Sequence, residues 1–188
     1  MKPKLGFAMC GSFCTHAEAL AVMSSLRDEY DIVPILSYAV SNTDTRFGRA
    51  DELKEKILDI SGRDAVCDIV EAEKFGPSKP LDIMMICPCT GNTVAKLANG
   101  ITDTPVTMAA KAHLRSDRPL LIALASNDAM SANFQNIGKL LQRKNVYFVP
   151  LKQDDPVKKP HSLVSDFSLC KECLSLAQTG KQARPMFR

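Results

Sequence analysis

The stretch Leu81-Asp-Ile-Met-Met-Ile-Cys-Pro-Cys-Thr-Gly-Asn-Thr-Val-Ala-Lys-Leu-Ala-Asn-Gly100 decides the fold class. Residues 81–86 are mostly apolar and run into a turn of small and polar residues at 87–92. A short apolar run bounded by turn signals reads as a buried parallel strand. Pro88 has no N–H to give a ladder, so the strand is expected to end there. Val94, Leu97, Ala98 and Ile101 then recur at helical spacing. Thr90, Asn92 and Thr93 have side chains that cap a helix N-terminus, and Gly91 would let the backbone approach a ligand closely. Strand, turn and helix start aim unpaired N–H groups and a positive dipole end at one spot. Such a corner suits a phosphate or cofactor, and it also suits an ordinary strand-to-helix connection.

Outward from this segment, apolar runs alternate with helical patterns. Residues 4–9 read as a first strand, followed by a turn at 10–15 and a helix with Ala19, Val22, Met23 and Leu26 on one face. Residues 31–37 read as a second strand, in which Pro34 is a blemish. A polar loop is expected at 38–48, a helix at 49–60 with Leu53, Ile57 and Ile60 inward, a short strand at 65–70 and a linker at 71–80. Further on, 104–115 read as a helix, 119–125 as a buried strand, 131–144 as a helix and 146–149 as a last short strand. The tail carries Asp154-Asp-Pro156, a helix over 165–178 and a basic end, with no internal repeat anywhere. This alternation predicts an α/β fold, one domain over 1–188 with a C-terminal extension from 150. Its expected form is a doubly wound, mostly parallel sheet in a Rossmann-like or flavodoxin-like three-layer sandwich. Ligands of such sheets sit at the carboxyl ends of strands near the switch point. The turns at 10–15, 37–48, 87–93 and 126–130, all rich in Ser, Thr, Asn and Gly, should therefore share one edge.

Composition narrows the function. With 188 residues, 45% apolar and 24% charged, the chain is an ordinary globular one. A net charge of +3 is too mild and too scattered to argue for nucleic acid. The seven cysteines lie mostly in apolar runs and read as free thiols in a reducing cytosol. Cys170-x-x-Cys173 lacks a second Cys/His pair for zinc and sits in a helical pattern, so no metal is assigned. The N-terminal apolar stretch is interrupted by Gly11, Ser12, His16 and Glu18, and no run approaches the roughly 20 apolar residues of a membrane span. A cytoplasmic protein with no membrane partner is expected.

Gly6-x-x-x-x-Gly11-Ser12 is a shadow of a phosphate loop, but Phe13 and Cys14 stand where its lysine would be. No Gly-x-Gly-x-x-Gly follows a strand, which removes the dinucleotide fingerprint. What remains is a mononucleotide whose phosphate is held by hydroxyls and backbone N–H groups, a description that FMN fits.

Residues 88–103, Pro-Cys-Thr-Gly-Asn-Thr-Val-Ala-Lys-Leu-Ala-Asn-Gly-Ile-Thr-Asp, resemble a motif of the homo-oligomeric flavin-containing cysteine decarboxylases. That motif is Pro-Ala-Ser-Ala-Asn-Thr, with Ala-Lys-x-Ala-x-Gly-Ile-x-Asp after it. Asn127-Asp-Ala-Met130 is similar to the family's Met-Asn-x-x-Met segment, with the preceding Pro and Met replaced, and Gly11-Ser12 matches its first loop. The resemblance covers nearly the whole chain. It implies FMN contacts at Gly11, Ser12 and Phe13, at Ser37, and at Thr90, Gly91, Asn92 and Thr93. It also implies a homo-oligomer, trimer or dodecamer, with the flavin near an interface between copies. The decarboxylases carry a catalytic His after the second helix. This chain has only His16, His113 and His161, and none lies in 49–72.

The likeness is to a sporulation branch of the family. It implies aromatisation of a dihydropyridine dicarboxylate, carried out together with a second protein that binds a nicotinamide cofactor. The alternatives are a flavin-dependent decarboxylase and a non-catalytic chain that only binds the partner. A small dicarboxylate substrate calls for a planar bidentate Arg. Arg46 is the first candidate; Lys96 is the second, and also reads as a helix-surface charge. His16 is a candidate proton acceptor, or simply a polar residue in a helix's first turn. Asn127 would orient flavin or substrate through its amide, or cap the next helix. Met130 reads as core.

Overall fold

The structure, a computed structural model, describes residues 2–76, 78 and 80–188. Strands β1 (Lys4–Met9), β2 (Asp31–Leu36), β3 (Ile83–Cys89), β4 (Leu120–Ser126) and β5 (Val146–Phe148) run parallel. Their spatial order, β2-β1-β3-β4-β5, is that of a flavodoxin-like doubly wound sheet, with its switch point between β1 and β3. All seven residues of β3 and all seven of β4 are buried, as strands covered on both faces must be.

Helices cover both faces. On one side α1 (His16–Leu26), α3 (Ala50–Ser61) and α8 (Cys170–Gln178) bring Ala19, Met23, Leu26, Ile57 and Leu174 against Phe7, Met9, Ile83 and Met85. On the other, α4 (Ile69–Glu73), α5 (Gly91–Ala98), α6 (Pro105–Leu114) and α7 (Phe134–Leu141) bring Ala72, Val94, Val106, Ala109 and Ile137 against Met84, Ile86 and Ile122. Each large apolar side chain so buried is worth about 1.5–3 kcal/mol of transfer free energy, which is what holds the three layers together.

Several elements depart from the expectation. β3 does not stop at Pro88. Ile86 pairs with Ile122 but Cys89 with Leu124, so three steps on β3 match two on β4, a bulge that places Pro88 where no ladder N–H is needed. The Cys87–Pro88 peptide is cis. The extra residue also sends Cys87 and Cys89 to opposite faces of the sheet. Pro34 is tolerated because β2 is an edge strand of the named order, met on its outer side, among the described residues, by a single bridge at Val66. The strand expected at 65–70 is that single bridge. Asp68 then caps α4, its carboxylate accepting from Val70 N (2.8 Å) and Glu71 N (3.1 Å). Within the expected loop at 38–48, Ser37 caps a short helix α2 (Tyr38–Asn42). The linker at 71–80 holds α4's last turn, and its Pro77 and Lys79 lie outside the described residues. The helix expected at 131–144 is shorter at both ends.

The tail adds two strands that periodicity does not reveal, β6 (Leu151–Gln153) and β7 (Leu163–Ser165). They form an antiparallel hairpin, and β7 pairs antiparallel with the end of β4 through Ala125–Val164 and Ser126–Leu163. β4 thus shares one side between β5 at its start and β7 at its carboxyl end. The Ser165 hydroxyl bridges the junction, accepting from Leu124 N (2.8 Å) and donating to Val149 O (3.2 Å).

His113, on α6, is fully buried. Its Nε2 lies 2.8 Å from Pro119 O and, since a carbonyl only accepts, must carry the hydrogen. Nδ1 has no partner among the described residues. Burial first, and Arg118 second, hold the imidazole below its ordinary pKa against the opposing pull of the Pro119 bond. An unfolded chain with an ordinary His binds a proton below pH about 6.5 that the folded chain refuses, so stability is complete above that pH and falls as pH drops below it. We expect the melting temperature to fall between pH 7.5 and 5.5, and the fall to be smaller in H113Q. A variant with an undiminished slope by differential scanning fluorimetry would contradict this.

Candidate functional site

At the carboxyl ends of β1, β3 and β4 lies a cleft of about 630 Å³, within the range of roughly 300–1,000 Å³ common for small-molecule sites. Gly11, Ser12 and Phe13, after β1, and Thr90, after β3, line its middle. Arg46 and Phe47 reach it from the β2 side; Ser126 and Asn127, with Asp154, Lys159 and Ser162 of the hairpin, reach it from the β4 side.

The first turn is tightly bound. Cys10 N–H donates to Pro88 O (3.0 Å), Ser12 N–H to Cys10 O (2.8 Å), and the Thr15 hydroxyl to Ser12 O (2.9 Å). His16 Nε2 lies 2.9 Å from Cys10 O and so carries the hydrogen on that nitrogen. Its ring packs at a tilt on Phe13, centroids 5.2 Å apart. Burial lowers its pKa, opposed by the bond to Cys10. His16 thus faces a smaller cavity of about 110 Å³ that shares Phe13 and Phe47 with the main cleft.

A second tight turn presents Arg46. Thr45 and Gly48 exchange both backbone hydrogen bonds (3.0 and 3.1 Å), and Gly48 has a φ of 143°, which only glycine adopts without strain. Arg46 and Phe47 form its tip, with the guanidinium 4.8 Å from the Phe47 ring centroid. Arg46 has no carboxylate partner among the described residues.

The start of α5 is capped as the sequence suggests, but Gly91 meets protein on its side-chain face. Thr90 caps the helix, its hydroxyl accepting from Thr93 N (3.3 Å). Thr93 is buried and its hydroxyl donates to Cys10 Sγ (3.3 Å). The bond from the Cys89 side chain holds the buried Cys10 thiol below its ordinary pKa, with Thr93 adding to the effect against burial, whereas burial pushes Cys89 up. Gly91 is hemmed in by protein. A Cβ there would stand 2.3 Å from Ser126 Oγ and 2.7 Å from both Asn133 Nδ2 and Asp128 Oδ1. Ser126 donates to Asp128 at 2.5 Å, Asn133 donates to its other oxygen at 2.8 Å, and Asn136 donates to Asn133 at 2.9 Å. The bonds from Ser126 and then Asn133 hold the Asp128 carboxyl below its ordinary pKa. A carboxylate this close also complements the positive end of α5.

The cleft therefore gathers Gly11, Ser12, Phe13, Arg46, Thr90 and Asn127. Outside its lining stand Ser37, whose hydroxyl accepts from Val40 N (3.4 Å); Gly91 and Thr93, turned to protein; and Asn92, exposed in the first turn of α5. Lys96 pairs with Asp103 (2.8 and 2.9 Å) beyond the cleft. Met130 is 36% exposed rather than core. Sequence reasoning missed Asp128, Asn133 and the hairpin residues. Three-residue strands leave no readable alternation. Among the described residues no group of three or more His, Cys, Asp or Glu could hold a metal, and no helix is long and apolar enough to cross a membrane.

Residues 2–170 match the Flavoprotein family. The chain belongs to that family. This flavoprotein-family chain is 41% identical over 184 residues to the B subunit of dipicolinate synthase from Bacillus subtilis (strain 168), covering 97% of this chain and 92% of the relative. It superposes on the crystal structure of the corresponding B subunit from Bacillus halodurans with a TM-score of 0.91 at 40% identity, covering 100% and 98% of the two chains. An FMN-dependent cysteine decarboxylase, SpaF, shares the fold at 24% identity with a TM-score of 0.68, covering 93% and 97%.

Gly91→Ala tests the packing at the switch point. Alanine gains up to about 1 kcal/mol in a helix, whereas forcing a methyl into a filled site costs roughly 1–3 kcal/mol. We expect a net loss of stability and a lower melting temperature, because the Ser126–Asp128–Asn133 bonds must also shift.

Proposed function

We propose that the chain is the FMN-binding subunit of a dipicolinate synthase. With the A subunit of dipicolinate synthase, which brings the nicotinamide cofactor, it oxidises dihydrodipicolinate to dipicolinate during sporulation. The observation that carries this reading is the cleft at the β1/β3 switch point, open between Ser12, Phe13 and Thr90 and flanked by Arg46, which has no carboxylate partner among the described residues. It occurs in a chain similar along 97% of its length to the B subunit of a dipicolinate synthase.

The residues present suit FMN. The switch point of this strand order is where mononucleotides sit. Among the described residues the Ser12 hydroxyl has only a distant contact, Cys14 Sγ at 4.0 Å, so it can donate to a phosphate oxygen. Phe13 offers an aromatic ring to the cleft. Asn92 extends from the first turn of α5, where the amides of Gly91 and Asn92 lack intrahelical partners. Ser37, Gly91 and Thr93 act through the shape of the turns they hold. FMN, when bound, supplies a two-electron acceptor.

The chain's own groups position the substrate. Aromatisation of the ring releases a hydride and a proton, so holding the ring against an acceptor is most of the task. Arg46 grips one carboxylate in bidentate fashion, and Asn127, exposed at the cleft, orients the ring or flavin through its amide. His16 Nε2–H is committed to Cys10 O, so His16 fixes the first turn, leaving Nδ1 as its only basic nitrogen. A flavin-dependent decarboxylase is the second reading, favoured by the fold shared with SpaF and opposed by the absence of His from 49–72.

The test is to titrate the purified chain with FMN and then mix it with its nicotinamide-binding partner and dihydrodipicolinate. A flavin spectrum, and dipicolinate formed only by the mixture, are expected. Carbon dioxide release from a cysteinyl acid would install the decarboxylase, and full activity without flavin would leave only a partner-binding role. Light scattering should report a homo-oligomer, trimer or dodecamer. Arg46→Gln should raise KM about tenfold or more, the scale of one lost charge-assisted pair, with FMN affinity unchanged.

A further inference from the structure

We propose that Lys159, at the end of the β6–β7 hairpin, is the second carboxylate clamp of the cleft. It opposes Arg46 and confers selectivity for a dicarboxylate over a monocarboxylate. The inference rests on the substrate class proposed above and adds a residue and a segment to it.

Three observations carry it. First, Arg46 and Lys159 line one cleft from opposite sides of the sheet: Arg46 from the loop after β2, Lys159 from the hairpin beyond β4. A ring with carboxylates on two sides presents its charges in just that divided way, and a single cation satisfies only one. Second, the backbone that carries Lys159 is held. Lys159 N–H donates to Asp155 O (2.8 Å), Ser162 N–H to Lys159 O (3.0 Å), and Met130 N–H to His161 O (3.0 Å), which ties the loop to the turn after β4. Asp155 Oδ1 accepts from Lys158 N (2.9 Å) and Val157 N (3.2 Å), closing the loop's own turn. Third, the ammonium has an exchangeable partner. Lys159 Nζ meets Asp154 Oδ2 at 2.5 Å, with both side chains substantially exposed. Such exposed pairs are weak and readily traded for another carboxylate. Asp154 also keeps the ammonium protonated, raising its pKa. Glu18 and Asp154 bring negative charge to the same lining, so the free cleft is balanced, and an arriving dianion competes with Asp154 for Lys159.

The experiment uses the full chain, with and without FMN, titrated calorimetrically with pyridine-2,6-dicarboxylate and with pyridine-2-carboxylate. In Lys159→Met the dicarboxylate should weaken about tenfold and the monocarboxylate less than about twofold, the signature of one lost ionic contact. In Asp154→Asn the dicarboxylate should tighten a few-fold, since Lys159 is released. FMN affinity, measured separately by absorbance, should be the same in all three proteins. Equal weakening of both probes by K159M, no weakening of either, or no dicarboxylate binding by the parent chain would overturn the proposal. A parent chain that discriminates between the probes but takes up no FMN would refute the flavin reading and leave Lys159 in place. Lys159 is exposed, and an unchanged melting temperature of K159M excludes misfolding as the cause.

Discussion

The amide of Cys10 meets the carbonyl of Pro88 at 3.0 Å, and the ligand-facing end of the molecule is built around that bond. It joins the tips of β1 and β3 at the bulge, where the winding of the sheet reverses. Helices from the two strands must leave on opposite faces, so the ends of the strands part and open a cleft. The bond holds them together at its base. Around it the chain packs its buried thiols: Cys10 and Cys89 with Thr93 on one face, Cys87 on the other. An unpaired polar group at this depth would cost several-fold more than any surface contact, and the buried Thr93 hydroxyl donates to Cys10 Sγ.

Polarity near α5 is handled in the same way. The helix start would attract any anion, yet Asp128 already lies beside it, fixed by Ser126 and Asn133. Gly91 is small because these side chains need its space. A glycine in a strand-to-helix turn suggests a close ligand, but here the close neighbour belongs to the protein. The cations of the cleft, Arg46 and Lys159, come from loops instead, and Arg46 stands exposed with no carboxylate partner among the described residues.

Much of this was written in residue patterns, and the rest could not be. Runs such as 81–86 and 119–125 are apolar because both faces are covered, so strands, layers and the edge that gathers the polar turns were legible. The family likeness supplied Gly11, Ser12, Thr90 and Asn127, and all of these reach one cleft. Pro88 misled because a proline normally ends a ladder, and only the register with β4 exposes a bulge. Ser37, Gly91 and Thr93 have types that serve a ligand or a helix turn equally well, and only the fold shows the protein groups they meet. The strand at 65–70 failed because one bridge at Val66 gains too little to compete with the Asp68 cap. Hairpin pairing over three residues a side depends wholly on β4 being available, a tertiary fact no local window contains.

β4 lends the first half of its free side to β5 and the last part to β7. The hairpin is therefore paired with β4 only at the end beside the cleft, past the residues that pair with β5. Descendants of this scaffold could rewrite the loop between Gln153 and Leu163, and change what the cleft admits, while the instructions for assembling the sheet pass on unaltered.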